Sequence, residues 1–315
     1  MKKLAIVTAT LLGLSTLFAG SAWAKSNEIA VIVKSANSTF WQNVKKGADD
    51  AGKAIGGQYK VTFQGPEAET AIDAQVNMVD NAVNRGVAGI VLAPSDPVAL
   101  VPAVKKAYES GIPVVLIDSG LSSDGKYYQS FLATDNRAAG KLAAEKLLAK
   151  VKGGKVAVMS FTQGAQSAIE RTGGFVDEVK AKADYKIVGP YYSNSEMVTA
   201  LNQTEDVLGS NPDIAAIFGA NEPTAVGMAR AVKQKGFAGK IVAVGFDGNS
   251  DLQNFVRDGT LDGIVVQSSY QMGYKGVDSV SKIIKGEKVE KTIDTGVVYV
   301  TKENIDSEEA KAVLY

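Results

Sequence analysis

The sequence predicts an α/β protein of two Rossmann-like lobes, each a parallel sheet covered by helices. Three observations carry this. Short apolar runs bounded by Gly or Pro alternate with segments whose apolar residues recur every three or four positions. The alternation pauses and restarts near residue 130, giving two similar halves of about five strands each. No Pro- or Ser-rich linker separates the halves, so short crossings between sheets should join them, with a cleft between the lobes.

The chain has 315 residues, 45% hydrophobic and 22% charged, which fits an ordinary globular protein of about two domains. Lys2 and Lys3 precede an apolar run over residues 4–20, and Ala22-Trp23-Ala24 is a small-x-small cleavage site. Residues 1–24 therefore read as a secretory signal peptide, too short and without a stop-transfer flank to be a membrane anchor. The expected location is the periplasm, with a mature protein that is not membrane-inserted. The full chain balances 34 basic against 34 acidic residues, and loss of the two leader lysines leaves a net charge of −2. That balance argues against nucleic acid and against an anionic membrane surface as partners.

There is no Cys and no His. An oxidising compartment is met without disulfides, and no lipidated cysteine follows the leader. Ser-His-Asp and Cys-His catalysis and the usual zinc ligand sets are excluded; carboxylate and Lys chemistry are not. No metal, cofactor or catalytic residue is expected.

In order, Ile29-Ala30-Val31-Ile32-Val33 reads as a buried strand. Residues 34–41 form a strand-to-helix turn without the glycine pattern of a dinucleotide site, and 41–55 form an amphipathic helix. Strands follow at 60–63, 89–93 and 113–117, with helices at 71–85 and 98–110 between them. The second half opens on a helix at 136–150, with Asp135 as its N-cap. Strands are then expected at 155–159, 187–191, 215–218, 241–245 and 263–266. Helices fall at 168–183, 197–208, 224–235 and 250–257, and a last long helix at 270–284. A strand at 296–300 ends the series.

In a parallel sheet the residues just past each strand share one edge, where ligands bind. Here they are polar in both halves: Lys34 and Asn37, Asp96, Asp118, Gln163 and Gln166, Asn221 and Glu222, Asp247, and Gln267. Any one of them has an ordinary role as a turn former or cap, and Asp247 in particular could cap the helix after it. Their recurrence points to a polyhydroxyl ligand, whose hydroxyls both donate and accept, with Phe40 and Trp41 covering an apolar ring face. Arg171 lies near a helix start, against the helix dipole, and so calls for a ligand or a carboxylate partner. Two acids, Asp118 and Asp247, set against two bases, Lys34 and Arg171, predict a neutral ligand.

Seven segments in order resemble one family. They are Asn37-Ser38-Thr39-Phe40-Trp41, Leu116-Ile117-Asp118, Thr134-Asp135-Asn136, Glu170-Arg171-x-x-Gly174-Phe175, Phe218-Gly219-Ala220-Asn221-Glu222, Gly245-Phe246-Asp247-Gly248 and Val266-Gln267. The mature chain is similar over residues 28–300 to the ribose/allose-type periplasmic sugar-binding proteins of the type I, cluster-B group. The resemblance implies the periplasmic-binding-protein type I fold and closure around one monosaccharide. It also implies delivery to an ABC transporter permease and, in some members, to a chemoreceptor. Lobes would comprise residues 25–134 with 268–296, and 135–267 with 297–315, in a monomer. Phe40 and Trp41 would stack on the sugar. Lys34, Asn37, Asp118, Arg171, Asn221, Asp247 and Gln267 would bind it. Hinges would fall at Thr134-Asp135, Gln267-Ser268 and Thr295-Gly296.

The ribose pattern is broken at Ser119, Ala93 and Lys34, where the resemblance implies Arg, Asn and Ser; Lys34 and Trp41 are closer to allose-type members. An allose-like hexose, a ribose-like pentose or a related polyol is the expected ligand. Competing functions are a sugar or autoinducer-2-type signal receptor feeding chemotaxis, and a secreted glycoside hydrolase using Asp118 with Asp247. A gene regulator of this fold would carry a DNA-binding domain where the leader stands.

Overall fold

A computed structural model describes residues 26–315; the leader lies outside them. Two six-stranded sheets form the two lobes. The first contains β1 (Glu28–Ile32), β2 (Lys60–Gln64), β3 (Gly89–Leu92), β4 (Val114–Ile117) and β5 (Ser130–Ala133). Its helices are α1 (Thr39–Ala54), α2 (Ile72–Asn84) and α3 (Val101–Glu109). In the second half, α4 (Asn136–Leu148), α5 (Gln166–Lys180), α6 (Met197–Ser210), α7 (Glu222–Gln234) and α8 (Ser250–Arg257) alternate with strands. Those strands are β6 (Gly154–Ser160), β7 (Tyr185–Tyr192), β8 (Ile214–Gly219), β9 (Val242–Phe246) and β10 (Gly263–Gln267). The chain ends with α9 (Ser269–Ile284), β11 (Thr292–Asp294), β12 (Val297–Val300) and α10 (Glu308–Lys311).

The strand orders are β11-β5-β4-β3-β1-β2 and β12-β10-β9-β8-β6-β7, so the lobes repeat one another strand for strand. The expected α/β class is the observed one. Central strands such as β3 and β4 are buried along their whole length, as near-continuous Val/Ile/Leu runs require when helices cover both sheet faces.

Three details differ from the sequence reading. Each sheet has six strands rather than about five: the second holds the six expected from residue 155 onward, and the first gains β5 and the three-residue β11, which are too short to show a period. β12 runs antiparallel to β10, pairing Val297 with Gln267 and Val300 with Ile264. β11 ends at the cleft edge of the first sheet, and residues 295 and 296 reach only the facing edge of the second, so β12 enters there and runs against its neighbour. And α3 starts at Val101 rather than at 98, because Asp96 Oδ1 accepts from the Val98 and Ala99 amides and holds a turn.

The chain passes between sheets at three places. After β5, residues 134–135 lead to α4, which packs on α5 of the second lobe. After β10, Ser268 leads to α9, which packs on α1 of the first. Residues 295–296 carry the chain from β11 to β12. Both exchanged helices lie backbone to backbone with their partners. A methyl built on Gly273 would sit 1.9 Å from the Val44 carbonyl oxygen, and one on Gly140 would sit 1.9 Å from that of Arg171. Glycine is needed at both crossings for this approach.

Candidate functional site

The C-terminal edges of the two sheets face each other across a small polar cavity, placed where ligands bind in open α/β sheets. Eight of the nine expected ligand residues line it: Lys34, Phe40, Trp41, Asp118, Arg171, Asn221, Asp247 and Gln267. Asn37 does not. It is exposed, its amide is 3.5 Å from the Glu67 carbonyl, and it faces an outer groove at the cleft mouth. Its place in the turn ahead of Ser38, the N-cap of α1, turns it away from the interior.

Asp118 and Asp247 occupy equivalent places, one residue past β4 and β9. Both have left-handed backbones, with φ of 63° and 76°. Asp tolerates this region better than most residues, at a strain of about 1–3 kcal/mol. The amide of each closes its strand, Asp118 N–H donating to Leu132 O at 3.0 Å and Asp247 N–H to Val265 O at 2.8 Å. The turn then projects the carboxylate off the sheet edge into the cavity.

Lys34 is 2% exposed, and its ammonium meets Asp118 Oδ2 at 2.6 Å, Ser119 Oγ at 2.7 Å and Ser167 Oγ at 3.1 Å. Three acceptors use its three protons. Ser119, where the ribose pattern has Arg, is thus part of the cradle that admits a buried Lys34.

Arg171, also 2% exposed, lies in the second turn of α5. Its guanidinium donates to Asn136 Oδ1 from Nε (3.1 Å) and Nη2 (2.6 Å), to the Ala220 carbonyl from Nη1 (2.7 Å), and to Gln267 Oε1 from Nη2 (3.1 Å). Its Cζ stands 3.7 Å from the Phe246 ring centroid. The direct partners are amide and carbonyl oxygens, not a carboxylate. Gln267 passes the connection on, donating from Nε2 to Asp247 Oδ1 at 2.8 Å. Asp247 does not cap α8, a role taken by Asn249; its Oδ2 accepts the Glu222 amide at the start of α7 at 2.8 Å.

Asn221 caps α7 through Oδ1 and donates from Nδ2 to Ser195 Oγ at 3.0 Å. Phe40 and Trp41 meet edge to face at a centroid distance of 4.8 Å. Gln163 is exposed and stands outside the cavity.

The sequence reading did not single out Glu69, Phe161, Ser167 or Pro223, and treated Glu222 only as a neighbour of the cleft; all five line the cavity. Glu222 Oε2 accepts from the Phe40 amide at 2.7 Å and from Tyr315 Oη at 3.1 Å. Glu69 stands five residues past the end of β2, in the loop that leads to α2, too far along for the strand-end rule to reach it. The cavity thus holds four carboxyls against two cations. Burial offsets the excess, pushing Asp247 up to about 7 against the pull of the Arg171 guanidinium, and raising Glu222 as well.

Two of the three crossings also interlock. Asp135 caps α4, its amide donates to Asp294 Oδ1 at 3.3 Å, and the same oxygen accepts from Gly296 N–H at 2.8 Å. Thr134, Gln267, Ser268 and Thr295 flank these points. Among the described residues no group of side chains is set to hold a metal, and no helix is long and apolar enough to cross a membrane.

Two doubly wound lobes closed on a small polar chamber with an aromatic wall define a protein that encloses a solute. The model for the periplasmic binding protein domain matches residues 29–288, and the chain belongs to that family. It is 31% identical to the D-allose-binding periplasmic protein of Escherichia coli K12 over 91% of this chain and 93% of that one. It is likewise 31% identical to the E. coli K12 ribose import binding protein, over 96% and 99%. Among solved structures, it is similar to an ABC transporter solute-binding protein from Agrobacterium vitis with bound D-fucose. That match has 67% identity and a TM-score of 0.89, over 91% of this chain and all of the other. A carbohydrate transporter solute-binding protein from Agrobacterium radiobacter with D-arabinose matches at 36% identity and a TM-score of 0.88, over 93% and 100%. This is a family of transport binding proteins, not enzymes, so the hydrolase alternative for Asp118 and Asp247 falls away.

Proposed function

We propose that this chain is the periplasmic solute-binding component of an ABC importer, and that it captures a neutral monosaccharide by closure of its two lobes. The observation that carries the reading is the chamber itself: hydrogen-bonding groups from both lobes and an aromatic wall converge on one small cavity. Asp118 uses Oδ2 for Lys34 and Ser119, which leaves Oδ1 for a sugar hydroxyl. Arg171 directs four of its five N–H groups at the protein, and the fifth, on Nη1, serves the ligand. Asn221, Asp247 and Gln267 complete the polar set, while Phe40 and Trp41 cover the ring. In this scheme Lys34 acts through Asp118, holding the carboxylate aimed at the ligand.

The hinges are the three crossings, Thr134-Asp135, Gln267-Ser268 and Thr295-Gly296. The lobes divide there, as residues 25–134 with 268–296 and residues 135–267 with 297–315. The leader directs secretion and is cleaved, and the monomer delivers its sugar to a permease. The D-fucose-bound relative at 67% identity favours a pyranose of that kind over ribose. A thermal-shift screen with D-fucose, D-galactose, L-arabinose, D-arabinose, D-allose and D-ribose tests this. D-fucose is expected to give the largest rise, corresponding to about 2.7 kcal/mol at a hundred times its dissociation constant. No shift with any of the six contradicts the reading.

A further inference from the structure

Glu69 joins the lobes at a point outside the expected sugar contacts. It belongs to the first lobe, in the loop after β2, and its carboxylate has two kinds of partner. Within its own lobe, Oε1 accepts the indole N–H of Trp41 at 3.1 Å. Across the cleft, Oε2 accepts Ser195 Oγ–H at 2.8 Å and Thr162 Oγ–H at 3.4 Å. Ser195 Oγ in turn accepts Asn221 Nδ2–H at 3.0 Å. One chain of bonds therefore runs from the aromatic wall of one lobe to a polar arm of the other.

The backbone of the second lobe is shaped for this contact. Asn194 and Ser195 are consecutive non-glycine residues in the left-handed region, with φ of 57° and 60°. Such a pair is strained and persists only where its surroundings fix it. Here the Ser193 amide is tied to Ser160 O and the Asn194 amide to Phe161 O, each at 3.1 Å. The resulting turn presents the Ser195 hydroxyl at the cleft, where the carboxylate of Glu69 meets it.

We propose that Glu69 and Ser195 form a latch that adds to the other cross-lobe bonds of the closed state, Lys34 to Ser167 and the Phe40 amide to Glu222, and lengthens the stay of a captured sugar. Glu69 also orients Trp41, as a positioning residue. The inference rests on the capture reading above. Opening breaks the bonds from Glu69 to Ser195 and Thr162, while the bond to Trp41 stays within one lobe. The latch is made only after the sugar has entered, so its loss appears in release rather than in association.

The test is stopped-flow kinetics on wild type, Ser195→Ala, Glu69→Ala and Glu69→Gln with D-fucose, D-arabinose, D-allose and D-ribose. Trp41, the one tryptophan beyond the leader, is the reporter. Ser195→Ala removes the shorter of the two cross-lobe bonds, leaves the bond to Trp41 in place, and is expected to raise koff about tenfold with kon within threefold. Glu69→Ala should raise koff further, because Trp41 is also released. Glu69→Gln should keep koff close to wild type, since an amide can accept from the indole and donate to Ser195. The proposal stands if koff rises at least threefold in both alanine variants while kon is preserved. It is overturned if either rises less, or if kon falls in step. A merely structural role would lower the melting temperature of the ligand-free variants and leave both rates alone, which also overturns it. Wild type that binds none of the four sugars overturns the capture reading, and the latch with it.

Discussion

Lys34 and Asp247 carry most of the electrostatic argument at the scale of single residues. The sequence places both at strand ends, and the strand-end rule that finds them is a statement about sheet topology, which is why it works without coordinates. Their partners are another matter. Nothing near Lys34 in the chain announces that Ser119 and Ser167 will supply acceptors, and Ser167 belongs to the other lobe. Nothing near Asp247 announces Gln267. Asp247 makes a pH prediction. Burial raises its carboxyl from 3.8 to about 7, with Arg171, Glu222 and Gln267 facing it. Between these two values the folded protein holds a proton that the unfolded chain has released, so this group's contribution to stability declines as pH rises, and levels off above about 7. Asp247→Asn has no such proton, and Asn also tolerates the left-handed backbone. Urea unfolding at pH 4 to 8 should therefore show the variant gaining on wild type up to about pH 7 and running parallel above it. A difference that is flat from pH 4 to 7 would contradict the assignment.

Elements with a strong period were legible, and those defined by pairing were not. The buried runs of β1, β3 and β4 and the amphipathic face of α1 follow from local sequence. β5, at four residues, and β11, at three, exist because parallel neighbours complete their hydrogen bonds. The antiparallel β12 follows from the length of the connection before it. Helix contacts make the element-scale prediction. At the crossing of α4 and α5, Gly140 lies against the carbonyl of Arg171 itself. Gly140→Ala must push α5 outward and carry the guanidinium off its bonds to Asn136 and Gln267. A loss of about 1–3 kcal/mol by urea unfolding is expected from overpacking, together with weakened sugar-induced stabilisation. Unchanged sugar response would mean that α5 does not position Arg171 as described.

The whole molecule is two copies of one lobe plan that exchange a helix each, and the site exists only where they meet. This arrangement explains the uneven legibility of the cleft. Residues that each lobe projects from its own strand ends were found from the sequence. Glu69 and Pro223, which lie beyond the strand ends, were not, nor was Phe161, which directly follows β6 but is apolar and so escapes a search for polar residues there. Asn37, although inside the right turn, faces the groove that both lobes form at the cleft mouth rather than the chamber. The three crossings are short, and Asp294 ties two of them through Asp135 and Gly296. Closure can then proceed as a rigid-body movement about a narrow axis, with the sugar shifting the balance between open and closed forms. The measurement that bears most directly on this account is calorimetric titration of D-fucose into wild type and Asp247→Ala. The account predicts one saturable site per chain in wild type and none detectable in the variant. Equal affinity in the two proteins, or no heat in wild type, would contradict it.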